Sequence, residues 1–388
     1  MGFLVVATLL VLTGFTSDDP DSGLYAGLSA RLANEPFARW IAPEWWGLWP
    51  RLGFTGFYRD HPVGGFMLPA LIGQLGVPGE QAAYIVGVGT GLLALILIAR
   101  LVRTLVSHEA ARAVLLLLQL MPVAFVFRIR ANQEYLMLIW LIVAILGVDL
   151  ARRSWWGVAV VAAAFSAALV TKGAFVLFIV EGAALWALCN PIRARGSLMR
   201  PFIAGVVGLA AIGATAMTYD AWYAAATGES FWRPYWDLQM GQVDVSTPVN
   251  GVGTLVDHVW FYIVRLLWHP APWSLALIGL AWRTRGAWVS AWRSAAPSVR
   301  WGLVFALAYA ATLVVTLSPS SRVAERYIFS GTYAIATAGI VALCQAWPNV
   351  RQRLVMMDER VPALPALVWL GLMLLRLALG PLVPRIQV

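Results

Sequence analysis

Long apolar stretches divide the sequence, and they limit its fold more than any other feature. A helix of about 20 apolar residues spans the hydrocarbon core of a bilayer, and it satisfies its own backbone hydrogen bonds there. The pattern therefore predicts an all-α polytopic membrane protein with about eleven transmembrane helices. The stretches lie at 2–16, 79–102, 109–127, 133–150, 155–171, 173–190, 201–219, 259–282, 301–318, 326–347 and 362–383.

Composition agrees with this assignment. The chain is 60% hydrophobic and 12% charged, whereas a soluble domain is about half apolar and a quarter charged. We expect one transmembrane domain over residues 1–388, with no C-terminal soluble domain. The stretch 2–16 lacks a preceding basic residue and a small-residue cleavage site, so we expect an uncleaved first span. Two connections are long, 17–61 and 220–258, and 62–77 is expected to form a re-entrant or interfacial helix.

The basic residues predict the orientation. Of the 28 lysines and arginines, 15 fall in one set of connections, which includes Arg152, Arg153, Arg351 and Arg353. Short cytoplasmic loops are rich in Lys and Arg, so both long connections are predicted to be extracytoplasmic, in a bacterial-type cytoplasmic membrane. Loop arginines also explain the net charge of +9, so no nucleic-acid partner is expected.

The acidic residues follow the opposite pattern, and they point to a site. Most carboxylates fall on the predicted extracytoplasmic side, where a purely structural membrane protein has little use for them. The first group is Asp18, Asp19 and Asp21, followed by Tyr25. A carboxylate at the membrane edge can act as a general base. The alternative is a helix cap, because Asp and Ser often precede a helix.

Four further groups lie in connections predicted to be on the same side. Asp60 and His61 precede Pro62, where they either cap a helix or contact a metal or a phosphate group. The candidates for a metal site are Asp60 and His258. The other three groups are Arg130, Asn132 and Glu134; Lys172; and Arg322, Arg326 and Tyr327. Each also has a purely structural explanation: an interaction with the helix dipole, snorkelling of a long side chain to the membrane surface, or a local ion pair. Lysine and arginine side chains suit phosphate groups.

Taken in order, these motifs resemble the GT-C glycosyltransferases. The likeness is to the branch that holds the protein O-mannosyltransferases and the aminoarabinose transferase of lipid A (families 39 and 83). The matching elements are Asp21-Ser22-Gly23-Leu24-Tyr25, Asp60-His61-Pro62, Arg130-Ala131-Asn132-Gln133-Glu134, Leu169-Val170-Thr171-Lys172-Gly173, Pro272-Trp273-Ser274 and Glu325-Arg326-Tyr327. Ser22 replaces the second acid of the first motif, and only one proline follows His61.

The resemblance implies a GT-C-type fold with juxtamembrane helices in the first long connection. It also implies an inverting glycosyltransferase that uses a polyprenyl-phosphate sugar and a lipid, glycan or protein acceptor. Asp21, with Asp19 and Glu134, would be catalytic. The substrate-binding residues would be Asp18, Tyr25, His61, Arg130, Asn132, Lys172, Arg322, Arg326 and Tyr327. Some relatives use a divalent metal near Asp60 and others use none.

Two other classes of protein fit the apolar pattern. A transporter or lipid flippase also has many spans and intramembrane charges, but it is expected to show internal repeats with paired broken helices. No convincing repeat is visible in this sequence. A non-catalytic membrane scaffold would not need the concentrated carboxylates.

Overall fold

The protein is described here by a computed structural model. It describes residues 20–44, 56–121, 123–124, 127, 130–189, 198–241, 252–283, 285–287, 290, 293–320, 323–361, 363–365, 367–368 and 370–371. The predicted spans 2–16 and, for most of its length, 362–383 lie outside these residues, as do Asp18, Asp19 and Arg322.

Within the described residues the chain forms helices and no strand, so the predicted all-α class is confirmed. The α-helices are α1 Pro20–Ala33, α2 Gly64–Gln74, α3 Gly79–Leu105, α4 His108–Gln119, α5 Glu134–Ala151, α6 Trp156–Lys172, α7 Val176–Cys189, α8 Met199–Thr227, α9 Trp232–Gly241, α10 Val252–Trp268, α11 Trp273–Arg283, α12 Pro297–Leu317, α13 Phe329–Ala346 and α14 Pro348–Arg360. Short 3₁₀ turns occupy Phe37–Arg39, Gly173–Phe175, Arg285–Ala287 and Glu325–Ile328.

The expected number of about eleven spans is not confirmed. Six described segments are long and apolar enough to cross a membrane, and a bent pair of helices makes a seventh if it is one span. These segments make the chain a multi-pass membrane protein. The predicted span 109–127 corresponds in part to α4, which ends at Gln119 and is too short to cross alone.

One of the six segments, Trp156–Cys189, reverses its direction at Gly173. Lys172, the last residue of α6, bonds to Glu134 at the start of α5. Farther along, the indole of Trp186 in α7 donates to Asp149 near the end of α5. Helices α6 and α7 therefore form a hairpin along α5, as the two separate predicted spans require. We call the end of the bundle that holds Glu134 and Lys172 the site end.

The predicted span 259–282 is broken in the structure. Helix α10 ends at Trp268, α11 begins at Trp273, and the two segments meet at 88°. The break contains Pro270 and Pro272, and proline cannot continue the hydrogen-bond ladder of a helix. The long connection 220–258 also holds more helix than expected, because α8 continues to Thr227 and α9 follows it.

Two hydrophobic clusters hold the described residues together. The larger one runs through the bundle and includes the buried faces of α3, α5, α6 and α13. The smaller one is rich in aromatic rings and joins α1 and α2 to the end of α8 and to α9; its members include Tyr25, Tyr58, Tyr223 and Tyr235. Helices α1, α2 and α9 are thus packed together beside the site end, and of these three only α1 belongs to the first long connection, for which juxtamembrane helices were predicted.

The opposite end of the bundle is rich in arginine. Arg152 donates to the carbonyl of Ala187 over 3.0 Å, which fixes α5 against α7. Arg112 of α4 is paired with Asp358 of α14 over 2.8 Å. Arginines of this end therefore hold helices together, and Arg112 does so through carboxylates of the same end.

Candidate active site

A buried ion pair joins two helices at the site end. Lys172 Nζ lies 2.6 Å from Glu134 Oε1, and their side chains are only 4% and 3% exposed. Glu134 is the first residue of α5 and Lys172 is the last residue of α6. A carboxylate suits the N-terminus of a helix and a cation suits the C-terminus, so each residue also matches its helix dipole.

A second ion pair lies between Asp21 and Arg326. Asp21 is in the first turn of α1, and Arg326 is in the 3₁₀ turn Glu325–Ile328 that precedes α13. This pair is more accessible than the first, because the side chains are 34% and 18% exposed. It joins the first long connection to a segment about three hundred residues later in the chain.

Three of these four side chains line one cavity. Its lining includes Glu134, Lys172, Arg326 and Tyr327, together with the rings of Phe175 and Phe178. Asp21 reaches this group through its contact with Arg326. The structure therefore brings together five residues that sequence reasoning selected from four separate segments: Asp21, Glu134, Lys172, Arg326 and Tyr327.

Some polar atoms in this cluster have unused bonding capacity. Within the described part of the chain, Glu134 Oε2 and Arg326 Nε are buried and have no hydrogen-bond partner. The same holds for both amide atoms of Gln133, a residue that is 2% exposed. Its side chain lies against Gly65, where an added Cβ would be 2.5 Å from Gln133 Nε2. Buried polar groups are normally paired, so this cluster is suited to a polar ligand.

Tyr25 and His61 stand beside the cluster. Tyr25 is buried, and its ring meets that of His61 edge-on at 6.2 Å. Burial raises the pKa of Tyr25 well above its usual value, and the nearby Tyr58, Asp60, Glu134 and Tyr327 raise it further. The phenol therefore keeps its proton and remains able to donate a hydrogen bond.

Asp60 fixes helix α9 over the site end. Gln239 Nε2 donates to the Asp60 carbonyl over 3.1 Å and to its carboxylate over 3.3 Å. His61 Nε2 lies 3.6 Å from the same carboxylate. His258 has a different neighbour, because its Nδ1 is 3.0 Å from the carbonyl oxygen of Ser318.

The described residues do not provide a set of side chains that could hold the predicted metal ion. Among those residues no group of three or more His, Cys, Asp or Glu side chains is placed to hold a metal ion, and Asp60 and His258 are not joined in one. Metal binding by Asp60 and His258 therefore stays a prediction.

Arg130 and Asn132 make contacts within the turn that precedes α5. The Arg130 guanidinium lies over the ring of Phe127, 5.3 Å from its centroid. Asn132 Nδ2 donates to the Phe127 carbonyl over 3.5 Å. These contacts shape the turn and thereby place Gln133 and Glu134, so the substrate-binding roles predicted for Arg130 and Asn132 stay predictions.

Sequence reasoning missed several residues that build the site. The backbone N–H of Ala174 donates to the Tyr235 hydroxyl over 2.7 Å, two residues after Lys172. Gly173 has a φ of +59°, and an added Cβ would collide with that hydroxyl. Arg59 pairs with Glu229 and donates from Nε to the Tyr223 hydroxyl over 3.0 Å. The only available signal was the unusual density of aromatic and charged residues in the long connections.

A second cavity, which is largely apolar, lies deeper in the bundle. Helices α3, α5, α7, α12 and α13 line it, and representative side chains are Ile98, Leu141, Trp186, Phe305 and Tyr333. Ser330 lines this cavity and the ion-pair cavity alike. The charged site therefore adjoins an apolar space inside the bundle.

Comparisons with known proteins agree with this architecture. Residues 60–218 match the family model described as "Dolichyl-phosphate-mannose-protein mannosyltransferase". This segment contains Asp60, Glu134 and Lys172 but neither Asp21 nor Arg326. No curated protein sequence matches the chain.

Two solved structures are similar to the chain over most of its length. They are crystal structures of ArnT from Cupriavidus metallidurans, in the apo state and bound to undecaprenyl phosphate. Each has a TM-score of 0.63 and 16% sequence identity, covers 91% of this chain, and is itself covered over 61% of its length. The chain thus spans about three fifths of these relatives, and at this identity the likeness establishes the fold. The GT-C resemblance predicted from the motifs is confirmed by the family segment 60–218 and by the fold of the bundle.

Proposed function

We propose that the protein is an inverting glycosyltransferase that moves a sugar from a polyprenyl phosphate to a lipid, glycan or protein acceptor. The observation that carries the proposal is the cavity at the site end, where two cations and two carboxylates from four segments meet. Separation of a sugar from a phosphate needs cations for the departing anion, and activation of an acceptor needs a base.

Asp21 is the proposed base. Its carboxylate takes the proton from the acceptor hydroxyl or amine while the acceptor atom bonds to the anomeric carbon from the side opposite the phosphate. The bond between the anomeric carbon and the phosphate oxygen breaks, and its electron pair leaves with the polyprenyl phosphate. The configuration at the anomeric carbon is inverted. Asp21 suits this role because it is partly exposed, whereas Glu134 is buried against Lys172.

Lys172 and Arg326 are the proposed phosphate ligands. Both line the cavity, and the guanidinium of Arg326 retains a buried, unpartnered Nε within the described structure. Arg322, the third cation proposed for the phosphate, lies outside the described residues, as do Asp18 and Asp19. The prenyl chain would follow the apolar cavity, since Ser330 belongs to both spaces.

The sugar would lie among neutral and anionic groups beside the phosphate. Tyr25 offers a phenol that stays protonated, and Gln133 offers a buried amide with no described partner. His61 and Tyr327 complete the wall proposed for the sugar. The buried position of this cluster would limit competing attack by water.

The site end is proposed to face the extracytoplasmic side of a bacterial-type cytoplasmic membrane. Support comes from the arginine-rich opposite end, which holds Arg112 and Arg152. Cytoplasmic ends of spans are enriched in basic residues. A polyprenyl-phosphate sugar would then enter sideways from the outer leaflet.

Transfer by purified protein in nanodiscs tests the proposal. A panel of polyprenyl-phosphate hexoses and pentoses is supplied with an extract of membrane lipids and glycans, and release of polyprenyl phosphate is measured. We expect Asp21→Asn to lower the rate by roughly 10²–10⁴-fold, the usual scale for loss of a general base. Glu35→Gln removes a carboxylate of the same charge from an exposed pair with Arg39, and it should leave the rate unchanged.

Two outcomes would contradict the proposal. Equal rates in the wild type and Asp21→Asn would remove Asp21 as the base. Absence of release with every donor, together with movement of an intact lipid-linked sugar across liposomes, would favour the transporter or flippase reading instead.

A further inference from the structure

The two ion pairs differ in a way that bears on the order of events at the site. Glu134 and Lys172 are both almost fully buried, and loss of either would leave an uncompensated charge in the interior. Asp21 and Arg326 are partly exposed, so solvent can replace the contact at lower cost. Of the two pairs, the one between Asp21 and Arg326 is the one that a ligand can open.

The charges of the two ion pairs balance each other. Two cations, Lys172 and Arg326, face two carboxylates, Glu134 and Asp21, so these four groups sum to zero. Among the described residues of the cluster, each of these two cations is therefore already paired with a carboxylate. A phosphate that binds to Lys172 or Arg326 must share that cation with its carboxylate or displace the carboxylate.

Arg326 is suited to such an exchange. A guanidinium has five N–H donors in a planar fork that matches phosphate oxygens. The contact with Asp21 uses Nη1, and Nε is buried with no partner in the described structure. The same arginine lines the cavity beside Lys172, within the space proposed for the phosphate.

We propose that the donor phosphate displaces Asp21 from Arg326, and that this exchange releases the base only when a donor is bound. The inference rests on the proposed function, because it assigns Arg326 to the phosphate. In the structure Arg326 holds the Asp21 carboxylate. When the phosphate takes over the guanidinium, Asp21 is freed to approach the acceptor, so the donor binds before the acceptor is activated.

The exchange predicts an effect of Asp21 on phosphate binding that would not follow if Asp21 acted only as a base. If Asp21 competes with phosphate for Arg326, its neutralisation should strengthen phosphate binding even though it removes catalysis. We expect Asp21→Asn to bind undecaprenyl phosphate about twofold to fivefold more tightly than the wild type, which is the scale of a partly exposed ion pair. A purely structural role for Asp21 would weaken binding.

A double-mutant cycle isolates the pair. Undecaprenyl phosphate is titrated calorimetrically into nanodiscs that hold the wild type, Asp21→Asn, Arg326→Gln or the double variant. Arg326→Gln should bind more weakly, and in that background Asp21→Asn should give no gain. Glu35→Gln, which makes the same change of charge at an exposed pair with Arg39, should bind like the wild type. Melting temperatures confirm that each variant is folded.

The outcomes separate the exchange from the proposed function. Unchanged or weaker binding by Asp21→Asn, with transfer still lost, overturns the exchange and leaves the glycosyltransferase standing. A gain that persists without Arg326 also overturns the exchange, because a general change in field would explain it. Failure of the wild type to bind undecaprenyl phosphate and to transfer any sugar overturns the proposed function, and the exchange with it.

Discussion

At the scale of single residues, Lys172 has two roles, and mutations can distinguish them. It neutralises Glu134 inside the protein, and it is proposed to hold the donor phosphate. Its ammonium also lies over the ring of Phe175, 4.8 Å from the centroid. A substitution at Lys172 therefore changes both stability and binding, and a second substitution at Glu134 is needed to distinguish them.

We expect Lys172→Met to destabilise the protein by about 3–5 kcal/mol, because Glu134 would be left as a buried unpaired charge. Lys172→Met combined with Glu134→Gln should recover most of the melting temperature, since the orphaned charge is gone. It should not recover affinity for undecaprenyl phosphate. Thermal unfolding and titration of the same samples measure the two effects, and recovery of both would show that Lys172 acts only in the structure.

The sequence indicated which residues belong to the site, but it did not indicate which of them pair with each other. Glu134, Lys172 and Arg326 stand out in the sequence because charges in short connections between apolar spans are costly. Their pairing could not be deduced, since Asp21 and Arg326 are brought together by the packing of the whole bundle. Gln133 gave no signal, because a neutral amide next to Glu134 is common at helix starts.

At the scale of elements, the apolar stretches located the long apolar helices well and the site helices poorly. Helices α3, α5, α6 and α12 begin within four residues of their predicted starts. Helix α9 was missed, because it is short and mixes aromatic, charged and polar residues. Its position depends on bonds from Gln239 to Asp60 and from Ala174 to Tyr235, which join segments far apart in sequence.

The hairpin between α6 and α7 depends on Gly173. Gly173→Ala places a side chain at a φ of +59° and against the Tyr235 hydroxyl, whereas Gly76→Ala at a φ of +97° meets nothing within 4 Å. Both variants carry the backbone penalty of about 1 kcal/mol or more, and only Gly173→Ala adds a collision next to Lys172. We expect its melting temperature and its affinity for undecaprenyl phosphate to fall further than those of Gly76→Ala.

Tyr235→Phe supplies the control for this comparison. It removes the hydroxyl that an alanine at position 173 would strike, so part of the added loss should be recovered in the double variant. Equal melting temperatures for Gly173→Ala and Gly76→Ala would show that α9 does not constrain the hairpin.

At the scale of the whole molecule, the arginine-rich end opposite the site end is the strongest guide to the placement of the protein in a membrane. The site end collects carboxylates and the proposed phosphate ligands, and the other end carries Arg112 and Arg152. The ArnT-like bundle explains how separate connections can build one cavity, because the ends of antiparallel spans meet at the same membrane surface. Which side of the membrane the site end faces is a separate question that an experiment can answer.

Labelling of single cysteines measures that side. In a background where Cys189 and Cys344 are replaced by alanine, Ala38→Cys marks the site end and Gln352→Cys marks the arginine-rich end; both positions are exposed. We expect a membrane-impermeant maleimide to label Ala38→Cys in right-side-out vesicles and Gln352→Cys in inverted vesicles, because Arg-rich connections stay in the cytoplasm. Labelling of both after detergent is added shows that each thiol is reactive. The reverse pattern would place the carboxylates and the proposed phosphate ligands on the cytoplasmic side, so the sugar donor would have to be taken from the inner leaflet.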